Sequence, residues 1–148
     1  MHDTDILLIH TAVTWALVGL IWTIQLVQYP GFAHVGPAQF SSFHEHHSSR
    51  ITWIVAPLMV GELLTAIALL GNRPVGISQG ALWAGLALIG LNWTCTAFVA
   101  VPLHKRLSGR DPRPQGALVA TNWIHTITWS ARGAWTLLAM RGALQGQT

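Results

Sequence analysis

The chain has 148 residues, of which 51% are hydrophobic and only 9% are charged. Soluble domains carry about 25% charged residues, so this chain has too few charges to cover a water-exposed surface. The composition therefore argues against a water-soluble enzyme, a disordered chain and a nucleic-acid-binding module. The net charge of +3 is too small to indicate a basic patch. The single cysteine, Cys95, excludes an intrachain disulfide and a cysteine-rich metal site.

Four apolar stretches are long enough to cross a bilayer as helices, which takes about 20 mostly apolar residues each. They cover residues 6–29, 51–70, 80–101 and 117–140. Because backbone groups in lipid need partners within their own segment, each stretch is predicted to be a helix. The predicted fold is an all-α membrane protein, a single domain built as a bundle of four transmembrane helices.

Prolines mark the predicted helix ends. Tyr29-Pro30-Gly31 is predicted to stop the first helix, and Pro102 is predicted to end the third. Pro37 suits the first turn of a helix. The polar segment 37–50 is therefore interpreted either as an extension of the second helix, which then covers 37–70, or as a separate interfacial helix. Residues 71–74 and 109–114 are predicted to be connecting loops.

Basic residues are distributed unevenly between the two predicted sides of the membrane. One side has five of them and the other has two: Arg50, Lys105, Arg106, Arg110 and Arg113 against Arg73 and Arg141. The positive-inside rule places the larger group in the cytoplasm, so both termini are expected outside. The expected location is the bacterial inner membrane, with the lipid bilayer as the first partner and no role for nucleic acid.

Each predicted span carries polar residues on one face, and these faces are expected to converge in the bundle. On the fourth span, Asn122, His125, Trp129 and Arg132 follow one another at spacings of 3, 4 and 3 residues, which places them on one helical face. Ionisable groups at membrane depth usually face the bundle interior. The candidate catalytic residues are Glu62, Asn92, Asn122, His125 and Arg132, and the candidate cofactor-binding residues are Trp129 and Gln25.

The depth of each residue in the membrane, counted from the end of its predicted span, indicates which of these residues lie at the same level. With a rise of about 1.5 Å per residue, Glu62, Asn92 and His125 are expected in one layer, and Arg132 lies within reach of Glu62. His10 is expected near the outer end, too far from His125 to share an ion. For Glu62 and Arg132 two interpretations stay open, an ion pair that fixes the helix register and a functional pair. For the asparagines, interhelical hydrogen bonding is the simpler interpretation.

A second polar cluster precedes the second span. On a helix, His44 and His47 are i, i+3 neighbours, and His104 is expected at the same membrane face. Three imidazoles suit zinc, iron or copper, so His44, His47 and His104 are a candidate metal site. The alternative is a solvated interfacial helix whose histidines contact lipid headgroups.

Three segments carry a family resemblance. They are Gln28 to Phe32, Phe40 to His47, and Thr121 to Arg132. In these the chain resembles small bacterial four-helix membrane proteins and, distantly, the anthrone oxygenase-like membrane family, whose last helix has an Asn-x-x-Arg-type pattern. This chain has His125 where that pattern has Arg. The segment His10 to Trp15 also resembles small haem-linked membrane oxidases. Both resemblances imply redox chemistry.

Three functions follow as alternatives. The first is a membrane-embedded oxidoreductase or oxygenase that acts on a lipophilic substrate in a tryptophan-lined pocket, with a metal ion, haem or quinone as cofactor. The second is a small proton-coupled transporter, which with four helices is expected to act as a homo-oligomer. The third is a non-catalytic membrane subunit whose polar faces hold the helices together.

Overall fold

The computed structural model describes residues 3–108 and 114–145. Within these residues the chain is almost entirely helical and contains no strand. The helices are α1 (Asp3–His34), α2 (Pro37–Gly71), α3 (Gln79–Leu107) and α4 (Pro114–Gln145). The predicted all-α class and helix bundle are confirmed. The loop at 109–113, with Arg110 and Arg113, lies outside the described residues.

The second helix includes the polar segment 37–50. Helix α2 begins at Pro37 in its first turn and continues without a break through Pro57 to Gly71. The polar segment 37–50 is therefore an extension of this helix and not a separate one. After α2, the chain turns through Gly76, whose φ of 83° lies in the left-handed region that favours glycine. Helix α3 then begins with Ser78 as its N-cap, because the Ser78 hydroxyl accepts the Ala81 N–H.

The predicted stops at Pro30 and Pro102 are wrong, because helical structure continues past both prolines. Each proline follows a five-residue π-helical segment, Ile24–Gln28 in α1 and Thr96–Ala100 in α3. The N–H of the residue before each proline reaches back five residues, from Tyr29 to the Ile24 carbonyl and from Val101 to that of Thr96. The hydrogen bonds of this wider turn accommodate the proline, which has no N–H and would otherwise interrupt the α-helix.

The helices form an up-and-down bundle in which each packs mainly against its neighbours in the chain, and α4 closes the ring against α1. Neighbouring helices are antiparallel. His10 of α1 contacts Thr65 of α2, and Thr14 contacts Glu62. Residue numbers therefore increase along α1 in the direction in which they decrease along α2.

Helix α4 is antiparallel to both of its partners. Against α1, Trp22 contacts Ser130 and Gln25 contacts Asn122. Against α3, Arg132 contacts Gly85 and His125 contacts Asn92. These contacts bring polar side chains from all the helices to the middle of the bundle.

The bundle buries polar side chains among its apolar core residues and is apolar on its outer surface. On α4, His125 and Arg132 are 4% and 1% exposed, whereas Ile127 and Leu138 are 64% and 69% exposed. The same inversion occurs on the other helices, where Glu62 is buried and the nearby Leu64 is exposed. Such a surface suits hydrocarbon better than water, because large apolar patches are rare on soluble monomers.

Three helices are long and apolar enough to cross a membrane, namely Asp3–His34, Pro37–Gly71 and Gln79–Leu107. Helix α4 does not meet the same criterion of length and composition, so four spans are not established by composition alone. The reason lies in its sequence, since the polar residues that α4 directs into the bundle, such as Asn122, His125 and Arg132, lower its average hydropathy.

Candidate functional site

Glu62 and Arg132 form an ion pair in the centre of the bundle. Arg132 Nε donates to Glu62 Oε1 at 2.9 Å, and both side chains are 1% exposed. The carboxylate also accepts from Thr14 Oγ1 at 3.1 Å and, at Oε2, from Trp129 Nε1 at 3.0 Å. The predicted contact between Glu62 and Arg132 is thus formed, and Trp129 also contacts the carboxylate. Such pairing is what a buried charge requires.

Arg132 connects all four helices. It lies on α4, its Nε reaches Glu62 on α2, and its Nη2 lies 3.0 Å from Nε2 of His10 on α1. Its Nη1 donates to the Gly85 carbonyl of α3. A Cβ at position 85 would lie 3.3 Å from Arg132 Nη1, so glycine allows this close approach. A side chain with three separate donors fits this position, and a shorter or uncharged one would leave several groups without partners.

His10, which the sequence interpretation placed near the outer end of the first span and left out of the candidate site, is part of this site. Arginine only donates, so His10 Nε2 accepts from Arg132, and the ring proton lies on Nδ1. Nδ1 then donates to Thr65 Oγ1 at 2.8 Å, and Thr65 donates to the Gly61 carbonyl at 2.7 Å. The spacing of His10 and Thr14 by one helical turn places both on the polar face of α1, and this signal favours His10 as a site residue.

The predicted layer of Glu62, Asn92 and His125 is divided between two sets of contacts. Glu62 belongs to the arginine network, whereas His125 Nδ1 lies 3.2 Å from Asn92 Oδ1. The His125 ring also stacks on Trp129, with centroids 5.3 Å apart, so the two sets are adjacent. Since an amide oxygen only accepts, His125 carries its proton on Nδ1.

Asn122 and Gln25 form a hydrogen bond with each other. Asn122 Nδ2 donates to Gln25 Oε1 at 2.7 Å, and Gln25 Nε2 donates to the Val119 carbonyl at 3.4 Å. Both side chains are buried. This contact joins α1 to α4, which agrees with the interhelical interpretation of Asn122 and leaves Gln25 bonded to the protein.

A cavity of about 240 Å³ lies beside these networks. Its wall is mainly apolar and aromatic, and includes Trp93, Trp129 and Met59. Besides Thr52 and Thr96, the polar groups along this wall lie in two sets. One set is Asn122 and His125, and the other is Tyr29, His47 and His104.

The histidines predicted to bind metal are close together but are arranged differently. His104 Nε2 lies 3.1 Å from Tyr29 Oη, and His104 Nδ1 lies 2.9 Å from His44 Nε2. The His44 and His104 rings are stacked, with centroids 5.1 Å apart. His47 packs edge-on against the buried ring of Phe32. Both His104 nitrogens thus have protein neighbours at hydrogen-bond distance.

The structure does not place His44, His47 and His104 as a three-imidazole set, so the metal prediction gains no support from this arrangement and stays a prediction. Within residues 3–108 and 114–145, no three His, Cys, Asp or Glu residues are placed so that they could hold a metal ion. The facing nitrogens of His44 and His104, 2.9 Å apart, are at hydrogen-bond distance.

Two buried donors near the cavity have no hydrogen-bond partner among residues 3–108 and 114–145. They are Nδ2 of Asn92, whose oxygen faces His125, and Nε1 of Trp93, whose ring lines the cavity. An unmade hydrogen bond of this kind costs about 1–3 kcal/mol, so such groups usually have a partner that is not part of the protein.

No family model, no curated protein and no solved structure matches the chain.

Proposed function

We propose that the chain is an integral membrane protein with four spans and with both termini outside the cytoplasm. The support for the fourth span is the inverted surface of α4, which buries Arg132 and exposes Ile127 and Leu138. With 32 residues at about 1.5 Å each, α4 is about 48 Å long, which exceeds the bilayer core of about 30 Å. The five-to-two asymmetry of basic residues supports the orientation.

Inside this bundle we infer a binding site for a lipophilic small molecule. The single observation that carries this proposal is the aromatic and apolar cavity with polar groups in its wall. Ligand pockets typically combine apolar walls with a few placed polar groups. The unpartnered donors of Asn92 and Trp93 favour a ligand with a hydrogen-bond acceptor such as a carbonyl oxygen.

The proposed activity is that of an oxidoreductase or oxygenase on such a molecule, as the resemblance to anthrone oxygenase-like proteins implies. Of the cofactors considered, a quinone fits an apolar cavity with donors near its wall. A quinone would supply the electron transfer. The chain's own residues would bind the ring between Trp93 and Trp129, exclude water, and hold a proton at His125 Nδ1.

The test is to purify the protein in mild detergent, record its visible spectrum, measure its metals and analyse an organic extract. We expect the extract to contain a redox-active lipophile in a fixed ratio to protein. Ala100 lines the cavity, so Ala100→Phe should fill it and remove the molecule. Ala97 is exposed on the same π-helical segment and does not line the cavity, so Ala97→Phe is the matched control.

A colourless, metal-free protein whose extract contains only bilayer lipids would contradict the oxidoreductase proposal. That result would favour a non-catalytic subunit, in which the polar networks only hold the helices together. A haem spectrum that survives Ala100→Phe would show that the redox centre lies outside this cavity.

A further inference from the structure

His104 lies between two proton-carrying groups. Its Nε2 is 3.1 Å from the Tyr29 hydroxyl, and its Nδ1 is 2.9 Å from His44 Nε2. Ser48 Oγ lies 3.4 Å from the same Nδ1. The side chains of Tyr29, His104 and His44 come from α1, α3 and α2, so the fold assembles this hydrogen-bonded series from distant parts of the sequence.

Imidazole can pass a proton along such a chain, because one ring nitrogen accepts while the other donates. When Tyr29 donates to His104 Nε2, the ring proton of His104 lies on Nδ1 and points to His44 Nε2. Both contacts are then made with the correct pairing of donor and acceptor.

One end of this chain lies at the cavity. Tyr29 and His104 both line its wall, together with His47. The other end is His44, which is fully buried and is followed in α2 by the exposed residues Glu45 and His46. The hydrogen-bonded series therefore runs from the apolar cavity towards the polar, N-terminal part of α2.

We propose that Tyr29, His104 and His44 relay a proton for an apolar ligand that carries a hydroxyl group, such as a phenol or a hydroquinone. This inference rests on the proposed binding of a lipophilic molecule in the cavity. It adds the ligand class and names Tyr29 as the group that exchanges the proton with it.

The step balances without an oxidant. The ligand O–H bond breaks and its proton forms a new bond to Tyr29 Oη, while the Tyr29 proton moves to His104 Nε2. The Nδ1–H bond of His104 breaks and that proton binds His44 Nε2. The ligand becomes an anion, His44 becomes an imidazolium ion, and no electrons change hands.

The experiment uses two matched probes on the full-length protein in detergent near neutral pH. One is 2,4,6-trichlorophenol, an apolar acidic phenol, and the other is 1,3,5-trichlorobenzene, which has the same shape without the hydroxyl. Quenching of tryptophan fluorescence reports binding, because Trp93 and Trp129 line the cavity. The phenolate absorption band reports how much of the bound phenol is ionised.

The relay variants are Tyr29→Phe and His104→Gln, and the control is His46→Gln at an exposed position of α2. We expect the ratio of ionised to neutral bound phenol to fall about fivefold in the relay variants, the change that one hydrogen bond contributes. The control should match the wild type. Trichlorobenzene should bind equally well to all four proteins, which shows that the variants are folded.

Equal ionisation in all four proteins, with trichlorobenzene still bound, would overturn the relay and leave the proposed ligand cavity intact. Trichlorobenzene quenching that is as weak in the wild type as in Ala100→Phe would overturn the ligand cavity itself, and the relay with it. If Tyr29→Phe alone loses trichlorobenzene binding, His104→Gln decides between these outcomes.

Discussion

Replacing Arg132 by Gln is expected to destabilise the bundle by about 3–5 kcal/mol, the range for breaking a buried ion pair from one side. The substitution leaves the Glu62 carboxylate without its cation, and it removes the donors to His10 and to the Gly85 carbonyl. Glu62→Gln should be costly for the reciprocal reason. It should cost less than Arg132→Gln, because the contacts of Arg132 with His10 and Gly85 remain.

The double variant separates a true pair from two independent sites. With both charges gone, Glu62→Gln/Arg132→Gln should be clearly more stable than the sum of the single losses implies. Unfolding in mixed micelles, followed by helical circular dichroism, gives the three free energies. Arg141→Gln, at an exposed position of the same helix, is the matched loss of a cation and should change stability by less than about 0.5 kcal/mol. Single losses that simply add would show that Glu62 and Arg132 are not energetic partners.

Gly133→Val is expected to have the second-largest effect on stability, because it forces α1 and α4 apart. A Cβ at position 133 would lie 3.1 Å from Val18 Cγ2 and 3.3 Å from the Trp15 ring. Trp15 is also fixed, since its Nε1 donates to the Gly133 carbonyl at 3.1 Å. Overpacking of this kind costs about 1–3 kcal/mol.

The matched control for Gly133→Val is Gly90→Val. Gly90 lies within α3, and a Cβ there would meet nothing within 4 Å. In the same unfolding assay this change should stay within about 0.5 kcal/mol of the wild type. Equal losses at the two glycines would mean that a general effect of replacing a helical glycine by valine, and not close packing of α1 on α4, sets the cost.

The sequence was sufficient to predict the helices and the central ion pair. Apolar stretches of the right length predict the helices, and depth counting brings Glu62 and Arg132 together. The sequence interpretation left His10 out of the candidate site, because counting along each helix axis ignores the reach of the Arg132 side chain towards the outer end. The contact of Arg132 with Gly85 could not be predicted either, since it depends on how closely α3 and α4 approach.

The errors at Pro30 and Pro102 have a different origin. Proline usually ends a helix, but the π-helical turn before each one supplies an alternative hydrogen-bond pattern, and this choice leaves no trace in hydrophobic periodicity. For His44 and His104, the sequence correctly suggested proximity. It could not distinguish a metal site from a hydrogen-bonded pair, because both bring two imidazole nitrogens to a similar separation.

The central claim is that α4 crosses the membrane with its polar face turned inward, although its composition alone does not qualify it as a span. Reporter fusions test this most directly, with alkaline phosphatase or a fluorescent protein placed after Arg110 in one pair of fusions and at Thr148 in a second pair. If α4 spans the membrane, the reporter after Arg110 is cytoplasmic and the reporter at Thr148 is external. Reporters that fall on the same side of the membrane would contradict this claim.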